Sequence, residues 1–178
     1  MRNTILVVML FFFNNLRAQT PVKYEAVVEV PCGKEGDIFS SARKWFSESF
    51  KDSKMVLDIN DKESGELSGN FTIPFSSNIH WGSDCTKGFI HANISIYIKE
   101  GKYKYEIKNF NHDASSNSCN YSFGVITDDK ECPVDIKSQN KKWENKVWKE
   151  LQARSESAAE NLISSLNASM QNTNNNDW

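Results

Sequence analysis

The sequence lacks the motifs by which common enzyme classes are recognised. It contains no Gly-x-Ser-x-Gly nucleophile turn, no glycine-rich phosphate-binding loop and no His-Glu-x-x-His helix. His91 and His112 are candidate bases, but neither has a sequence-level partner, and a solvated surface histidine is the ordinary interpretation of each. The carboxylates of Asp58, Asp61 and Glu66 are likewise interpreted as solvated acids. We therefore expect a protein without catalytic residues or a cofactor.

The sequence also lacks an excess of positive charge. It has 21 Lys and Arg against 23 Asp and Glu. Loss of Arg2 and Arg17 with the signal peptide predicted below leaves 21 − 2 = 19 against 23, a net charge of −4. Nucleic-acid binders gain affinity by neutralising phosphates, so no nucleic-acid partner is expected.

No apolar run in the sequence is long enough to span a bilayer. The N-terminal run covers residues 5–13, follows Arg2 and precedes Leu16-Arg17-Ala18, which places a small residue at a cleavage position. Residues 1–18 are therefore predicted to be a signal peptide, the alternative being a buried N-terminal element. No cysteine follows the cut to carry a lipid anchor. We expect an exported protein, periplasmic or secreted, that is not an integral membrane protein.

Cys-x-x-Cys pairs and histidine pairs at helical spacing are absent, which argues against zinc or another metal site. The four cysteines are instead disulfide candidates in an exported chain: Cys32, Cys85, Cys119 and Cys132. Three pairings are open. At least one bridge is expected to include Cys119 or Cys132, because both lie in a long segment with little packing of its own. A Cys32–Cys85 pair is disfavoured if the strands meander in sequence order.

Residues 19–170 are predicted to form one domain, followed by a disordered polar tail at 171–178. Residues 22–30 alternate as a half-buried strand, and a helix follows with Asp37 at its cap position. Residues 141–170 form a long helix. Its buried residues are predicted to be Trp143, Val147, Leu151, Ala158, Leu162 and Leu166, with Trp148 and Ile163 at the margin.

Residues 55–75 pose a choice between a calcium loop and a hairpin. Calcium loops of the helix–loop–helix type need a ligand at their fifth position and glycine at their sixth, where this sequence has Lys62 and Glu63. Alternation on both sides favours two strands with Leu57 and Ile59 on the apolar side. Residues 61–65 then form the connecting turn.

A second hairpin turns at Glu100-Gly101. Its apolar side runs through Ile90, Ala92, Ile94, Ile96 and Ile98, then Tyr103, Tyr105 and Ile107. The segment 111–140 is expected to hold a short strand and a disulfide tether rather than a free loop.

These elements predict an α+β fold: strand, helix, four strands and a long helix. Each strand has one apolar side, so one antiparallel sheet of about five strands should carry both helices on one face. The opposite, polar face is the candidate partner surface, with nearly balanced charges and Phe89 and Phe110 as its aromatic residues. Its predicted partner-facing residues are His91, Asn93, Tyr97, Lys104 and Glu106.

Four stretches resemble a bacterial secreted family, domain of unknown function 4468, which is described as having a TBP-like fold. They are residues 24–30, 42–69, 94–113 and the terminal helix with Trp143 and residues 162–170. The resemblance runs over about 24–170 and implies the fold and export. It implies no activity and no catalytic residues.

Two function classes follow. The first is a non-enzymatic, envelope-associated interaction module whose partner is a protein or another envelope component. The alternative is a small-ligand or lipid carrier of helix-grip type, with a cavity between sheet and long helix. The aromatic residues that would line this cavity are Phe71, Tyr103, Tyr105, Trp143 and Trp148.

Overall fold

The computed structural model describes residues 19–50, 56–115 and 119–171, so the predicted signal peptide and residues 172–178 of the predicted tail lie outside the described residues. In the described part of the chain, six strands and two α-helices follow one another. They are β1 (Tyr24–Glu29), α1 (Glu35–Ser49), β2 (Val56–Asp61), β3 (Glu66–Phe75), β4 (Gly88–Lys99), β5 (Lys102–Ala114), β6 (Gly124–Val125) and α2 (Lys141–Gln171).

The strands form one antiparallel sheet in the order β1-β5-β4-β3-β2, and β6 pairs with the end of β5 beyond β1. Strands β2 to β5 are a meander of adjacent hairpins. The expectation of a meander in sequence order fails at β1, which lies beside β5. The β1–α1–β2 connection therefore carries the chain from one edge of the sheet to the other.

The core lies between the sheet and the two helices, as the apolar alternation predicts. Both helices contact the same face, α1 against β4 and β5 and α2 against β3 and β5. The predicted sheet residues Phe71, Ile94, Ile96 and Ile107 are buried against Ala42, Phe46, Val147 and Leu151. Tyr24, Val28 and Leu162 pack at the margin of the same cluster.

Helix α1 begins at Glu35, and the prediction of Asp37 as its cap is wrong. Lys34 occupies the cap position without a side-chain hydrogen bond, and Asp37 lies in the first turn. The Glu35 N–H instead donates to Glu100 Oε2 at 2.9 Å. A carboxylate from the β4–β5 turn thus satisfies the helix N-terminus, where negative charge is favourable.

Residues 61–65 form the predicted hairpin turn. Asp61 Oδ1 accepts hydrogen bonds from the Glu63 N–H at 2.9 Å and the Ser64 N–H at 3.3 Å. Hydrogen bonds from Ser64 and the Glu63 N–H lower the pKa of Asp61. The carboxylate of Asp61 therefore has a local structural role, that of closing an Asx turn.

Two β-bulges shift the predicted strand faces. In β2 the pairing runs Leu57↔Gly69 and then Ile59↔Ser68, which leaves Asp58 as an extra residue. Ile59 therefore lies opposite the outer-face residue Ser68 and is 39% exposed, so its prediction on the apolar side is wrong. Leu57, opposite Gly69, keeps the predicted side but is 40% exposed on this edge strand.

In β5 the second bulge lies at Asn109. Lys108 pairs with Asn93 and Asn111 with His91, so Ala92 faces two residues, Asn109 and Phe110. Asn109 has φ 61, a left-handed conformation that asparagine tolerates. Beyond it the alternation is inverted, and Phe110, predicted on the polar face, is fully buried.

Helix α2 buries a wider face than the predicted stripe. Trp148, predicted at its margin, is fully buried and its indole N–H donates to the Asp129 carbonyl at 2.9 Å. Ala159 is fully buried, whereas Ala158 is only partly so. Gln171, assigned to the polar tail, is the last residue of the helix.

The segment after β5 contains the expected short strand and a disulfide. Cys85 and Cys119 are bridged, which confirms a disulfide that includes Cys119. Cys32 is exposed and Cys132 buried, both as free thiols. Burial raises the pKa of the Cys132 thiol. The bridge joins the loop before β4 to the segment that follows β5.

Candidate functional site

The candidate site is the outer face, meaning the sheet face opposite the two helices. The register places all five predicted partner-facing residues on it: His91, Asn93 and Tyr97 from β4 and Lys104 and Glu106 from β5. Tyr97 lies directly opposite Lys104, and Ser95 opposite Glu106. The five residues lie in successive rows of one surface because side chains of the same parity share a sheet face.

One half of the outer face carries a charge network centred on Glu106. Lys104 Nζ lies 2.6 Å from Glu106 Oε1 and 3.0 Å from Glu25 Oε2, and Lys108 Nζ lies 2.8 Å from Glu106 Oε2. Lys23 adds a contact to Glu25 at 2.9 Å. Hydrogen bonds from Lys104 and Lys108 lower the pKa of Glu106 to about 2. Three lysines and two glutamates are interleaved in this network, so it does not present a field of one sign.

The other half of the outer face carries a row of hydrogen-bonded side chains that crosses four strands. The Asn109 amide donates to Asn93 Oδ1 at 2.7 Å, the Asn93 amide donates to Asn70 Oδ1, and the Asn70 amide donates to Asp58 Oδ2. We call this row, Asp58–Asn70–Asn93–Asn109, the amide ladder. Every donor points the same way, toward the Asp58 carboxylate.

Sequence reasoning placed Asn93 on this face but missed Asp58, Asn70 and Asn109 as its neighbours. The available signal is that asparagine is depleted in strands, yet each of the adjacent strands β2, β3, β4 and β5 contains at least one. The bulges at Asp58 and Asn109 conceal the alignment, because they shift the register by one residue on either side of the central pair.

His91 lies one row beyond the ladder, beside Asp113. Its Nε2 is 3.7 Å from Asp113 Oδ2, beyond hydrogen-bonding distance, and both side chains are about half exposed. The Asn111 amide donates to the same Asp113 oxygen at 3.2 Å. His91, Asn111 and Asp113 therefore form a polar cluster on the outer face.

The prediction of His112 as a solvated residue just past a strand end is wrong. It lies within β5 and is fully buried, because the Asn109 bulge turns it inward. Its Nε2 lies 2.9 Å from the Thr86 carbonyl, and its Nδ1 accepts the Phe123 N–H at 3.3 Å. Burial lowers the pKa of His112, and the ring joins β5 to both disulfide-linked segments.

Residues predicted for a carrier cavity are packed in the core. Phe71, Tyr103, Tyr105, Trp143 and Trp148 all belong to one buried cluster. Of these, Tyr103 borders a small pocket of about 180 Å³ beside the end of α2. The five aromatic residues therefore fill the interior rather than line a ligand cavity.

The described residues contain neither a cluster of metal ligands nor a helix that could cross a membrane. Among residues 19–50, 56–115 and 119–171, no three His, Cys, Asp or Glu side chains are grouped in a way that could hold a metal ion. In the same part of the chain, no helix combines the length and apolar composition that a membrane crossing requires.

The architecture defines an α+β domain of the TBP-like class. A crystal structure of a TBP-like protein from Parabacteroides distasonis matches with a TM-score of 0.62 at 16% identity, covering 85% of this chain and 94% of that chain. A DUF4468 family protein from Bacteroides ovatus matches with a TM-score of 0.50 at 13% identity, covering 84% of this chain and 86% of that chain. At these identities the likeness shows the fold alone.

The family follows from the sequence match. The model described as domain of unknown function (DUF4468) with TBP-like fold matches residues 24–113, which are 113 − 24 + 1 = 90 of 178 and so just over half of the chain. The chain belongs to this family. The match covers β1 to β5 almost completely, together with α1, and ends before β6 and α2. No curated protein matches the chain.

Proposed function

We propose that this protein is an exported, non-enzymatic interaction module that binds a protein or another envelope component through the outer face. The observation that carries the proposal is the one-sided packing of the sheet: both helices contact the same face. The opposite face of five strands carries ordered polar networks and an exposed aromatic residue, Phe89, which is 43% exposed. Polar rows around accessible aromatic rings are typical of recognition surfaces.

Export is supported by two independent features. The first is the charged and apolar N-terminal segment that ends at Ala18. The second is the Cys85–Cys119 disulfide, since disulfides persist mainly in oxidising compartments. The absence of enzymatic activity is supported by the solvated setting of His91 and by the structural contacts of His112.

Site-specific photo-cross-linking in the native host tests the interaction surface. A photo-reactive phenylalanine analogue replaces Phe89 on the outer face or, as the matched control, Lys44 on the exposed side of α1. We expect a discrete adduct from position 89 and none from position 44. Equal adducts from both positions, or none from position 89, would overturn the outer face as the binding surface.

The mass of the protein recovered from outside the cytoplasm tests export. Cleavage after Ala18 predicts a chain that starts at Gln19. A chain that retains Met1 and remains in the cytoplasm would contradict the proposal, whatever the cross-linking result.

A further inference from the structure

The amide ladder is costly for the fold and is not needed to form the sheet. Asparagine is depleted in strands because its side chain competes with the backbone for hydrogen bonds, yet Asn70 and Asn93 lie in the two innermost positions of the ladder, within paired strands. Positions at which a sequence breaks such a local rule tend to be functional.

Both ends of the ladder are bulge residues. Asp58 is the extra residue of β2, and Asn109 is the left-handed bulge residue of β5. Bulges re-aim side chains and are over-represented beside functional sites. Without the insertion in β5, Asn109 would lie opposite the buried residue Ala92 and would not line up with Asn93.

We propose that the amide ladder binds a neutral, hydroxyl-rich carbohydrate chain that lies across the strands of the outer face. This inference rests on the proposed function, because it names the ligand class of the same surface. Asn70 and Asn93 each use one N–H and one acceptor site on their neighbours, and Asn109 uses one N–H. A second N–H and a further acceptor site remain on each amide. A hydroxyl group both donates and accepts hydrogen bonds, so it can bond to the remaining N–H and the remaining acceptor site of an amide.

The spacing of the groups in the ladder favours a carbohydrate over a peptide as the ligand. Neighbouring strands lie ~4.8 Å apart, so the four groups extend over ~14 Å at that interval. An extended chain of pyranose rings repeats at a similar interval and can present one ring to each strand. The residues of an extended peptide repeat every ~3.4 Å, so after one residue they no longer align with the groups of the ladder.

The charged residues near the ladder favour a neutral chain over an anionic one as the ligand. The ladder ends at the Asp58 carboxylate, and Asp113 adds a second carboxylate near His91. Lys108, which lies opposite Asn93, is held by Glu106 at 2.8 Å. Among the described residues, an anionic polymer would therefore meet the repulsion of these two carboxylates, whereas a neutral chain would not.

Nuclear magnetic resonance of the ¹⁵N-labelled protein tests the proposal, because asparagine side-chain NH₂ signals report directly on the ladder. The neutral probes are cellohexaose and mannohexaose, and the anionic comparison is the hexamer of galacturonic acid. We expect saturable shifts of the Asn70, Asn93 and Asn109 signals with a neutral hexamer and none with the anionic one.

Variants connect those shifts to the ladder. Asn93→Ala removes its central amide, and Asn109→Gly removes a terminal amide while keeping a residue suited to the left-handed bulge. Each should weaken neutral-hexamer affinity at least tenfold. The control, Asn161→Ala on the exposed side of α2, should bind as the unaltered protein does. Because Asn109→Gly preserves the backbone, it also tests the proposal if Asn93→Ala folds poorly.

Three outcomes would overturn the inference: no shift with either neutral hexamer, unchanged affinity in both ladder variants, or equal binding of the galacturonic acid hexamer. The proposed function fails separately, by the loss of position-specific cross-links at residue 89. A proteinase-sensitive adduct at that position without hexamer binding would leave the interaction module standing and reject carbohydrate as its ligand.

Discussion

Gly65 and Gly101 close the two hairpins with similar left-handed backbones, at φ 68 and φ 72, but their surroundings differ. A Cβ added to Gly65 would lie 2.5 Å from the Ile98 carbonyl oxygen. The same atom added to Gly101 would meet nothing within 4 Å. The Gly65 carbonyl also accepts the Ile98 N–H at 2.8 Å, which fixes the first turn against the end of β4.

These surroundings predict unequal costs for the same substitution. Gly101→Ala should lower the free energy of unfolding by about 1–2 kcal/mol, the cost of a left-handed backbone for a residue with a Cβ. Gly65→Ala should cost ~1–3 kcal/mol more, because the backbone of β4 must also move. Urea denaturation of both variants measures the difference. Equal losses would show that the Ile98 contact does not constrain the turn.

Protonation of His112 should destabilise the fold. As a neutral ring, its Nε2–H can donate to Thr86 while Nδ1 accepts the Phe123 N–H. A proton on Nδ1 would face that N–H among the rings of Phe75 and Phe123. Since burial lowers the folded-state pKa below 6.5, the folded state binds fewer protons than the unfolded state. Stability from the neutral ring is then present above about pH 6.5 and is lost as pH falls toward the folded pKa.

Urea denaturation at pH 7.5 and pH 5.5 measures this effect. The unaltered protein should lose stability between the two values, and His112→Gln, which cannot titrate, should lose less. The comparison uses the change with pH in each protein, so a constant cost of the substitution does not affect it. An identical pH dependence in the two proteins would rule out His112 as the cause.

At the scale of elements, alternation predicts a strand's faces only until an extra residue intervenes. In the uninterrupted part of β4 and β5, from Ile94 to Ile107, each residue lies on the predicted side of the sheet, although Ser95 and Glu106 on the outer face are buried by their neighbours. The bulge at Asn109 then inverts the faces of Phe110 and His112. Neither bulged strand contains a glycine or a proline, so neither the buried histidine nor the amide ladder could be predicted from periodicity alone.

The disulfide links two segments that are distant in the sequence. Cys85 and Cys119 are 34 residues apart, and their bridge holds the segment after β5 beside the loop before β4. A cross-link of this length removes chain entropy from the unfolded state and contributes about 2–4 kcal/mol. The double variant Cys85→Ser/Cys119→Ser should lose stability by that amount.

Cys32→Ser is the matched control, because Cys32 is an exposed free thiol. It should change stability by less than about 0.5 kcal/mol. Non-reducing peptide mapping should link the peptides that contain Cys85 and Cys119. Four free thiols in the exported protein, or a bridge to Cys32, would contradict the assignment.

For the whole molecule, the layer arrangement was predictable and the strand order was not. Each strand and helix has a single apolar side, and burying all of them requires the helices to face one side of the sheet. The position of β1 beside β5 depends on a connection across the helix layer. No local signal near Tyr24 or Glu29 indicates which edge it joins, because either edge would bury its apolar side.

Truncation of a side chain should therefore destabilise the protein strongly on the helix-covered face of the sheet and much less on the outer face. Ile96 is fully buried beneath the helices, and Leu151 is fully buried on α2. Ile96→Ala and Leu151→Ala should each lower the free energy of unfolding by about 2–5 kcal/mol, from lost burial and the cavity left behind. His91 and Lys104 lie on the outer face with 48% and 38% of their side-chain surface exposed. His91→Ala should stay within about 0.5 kcal/mol of neutral, since solvent-exposed ion pairs contribute little. Lys104→Ala should cost more than His91→Ala and less than the core truncations, because it removes one ion-pair partner from Glu106, whose side chain is only 11% exposed. Urea denaturation of the four variants decides the matter. If His91→Ala proves as damaging as Ile96→Ala, the outer face is packed against another part of the protein and is not free to bind a partner.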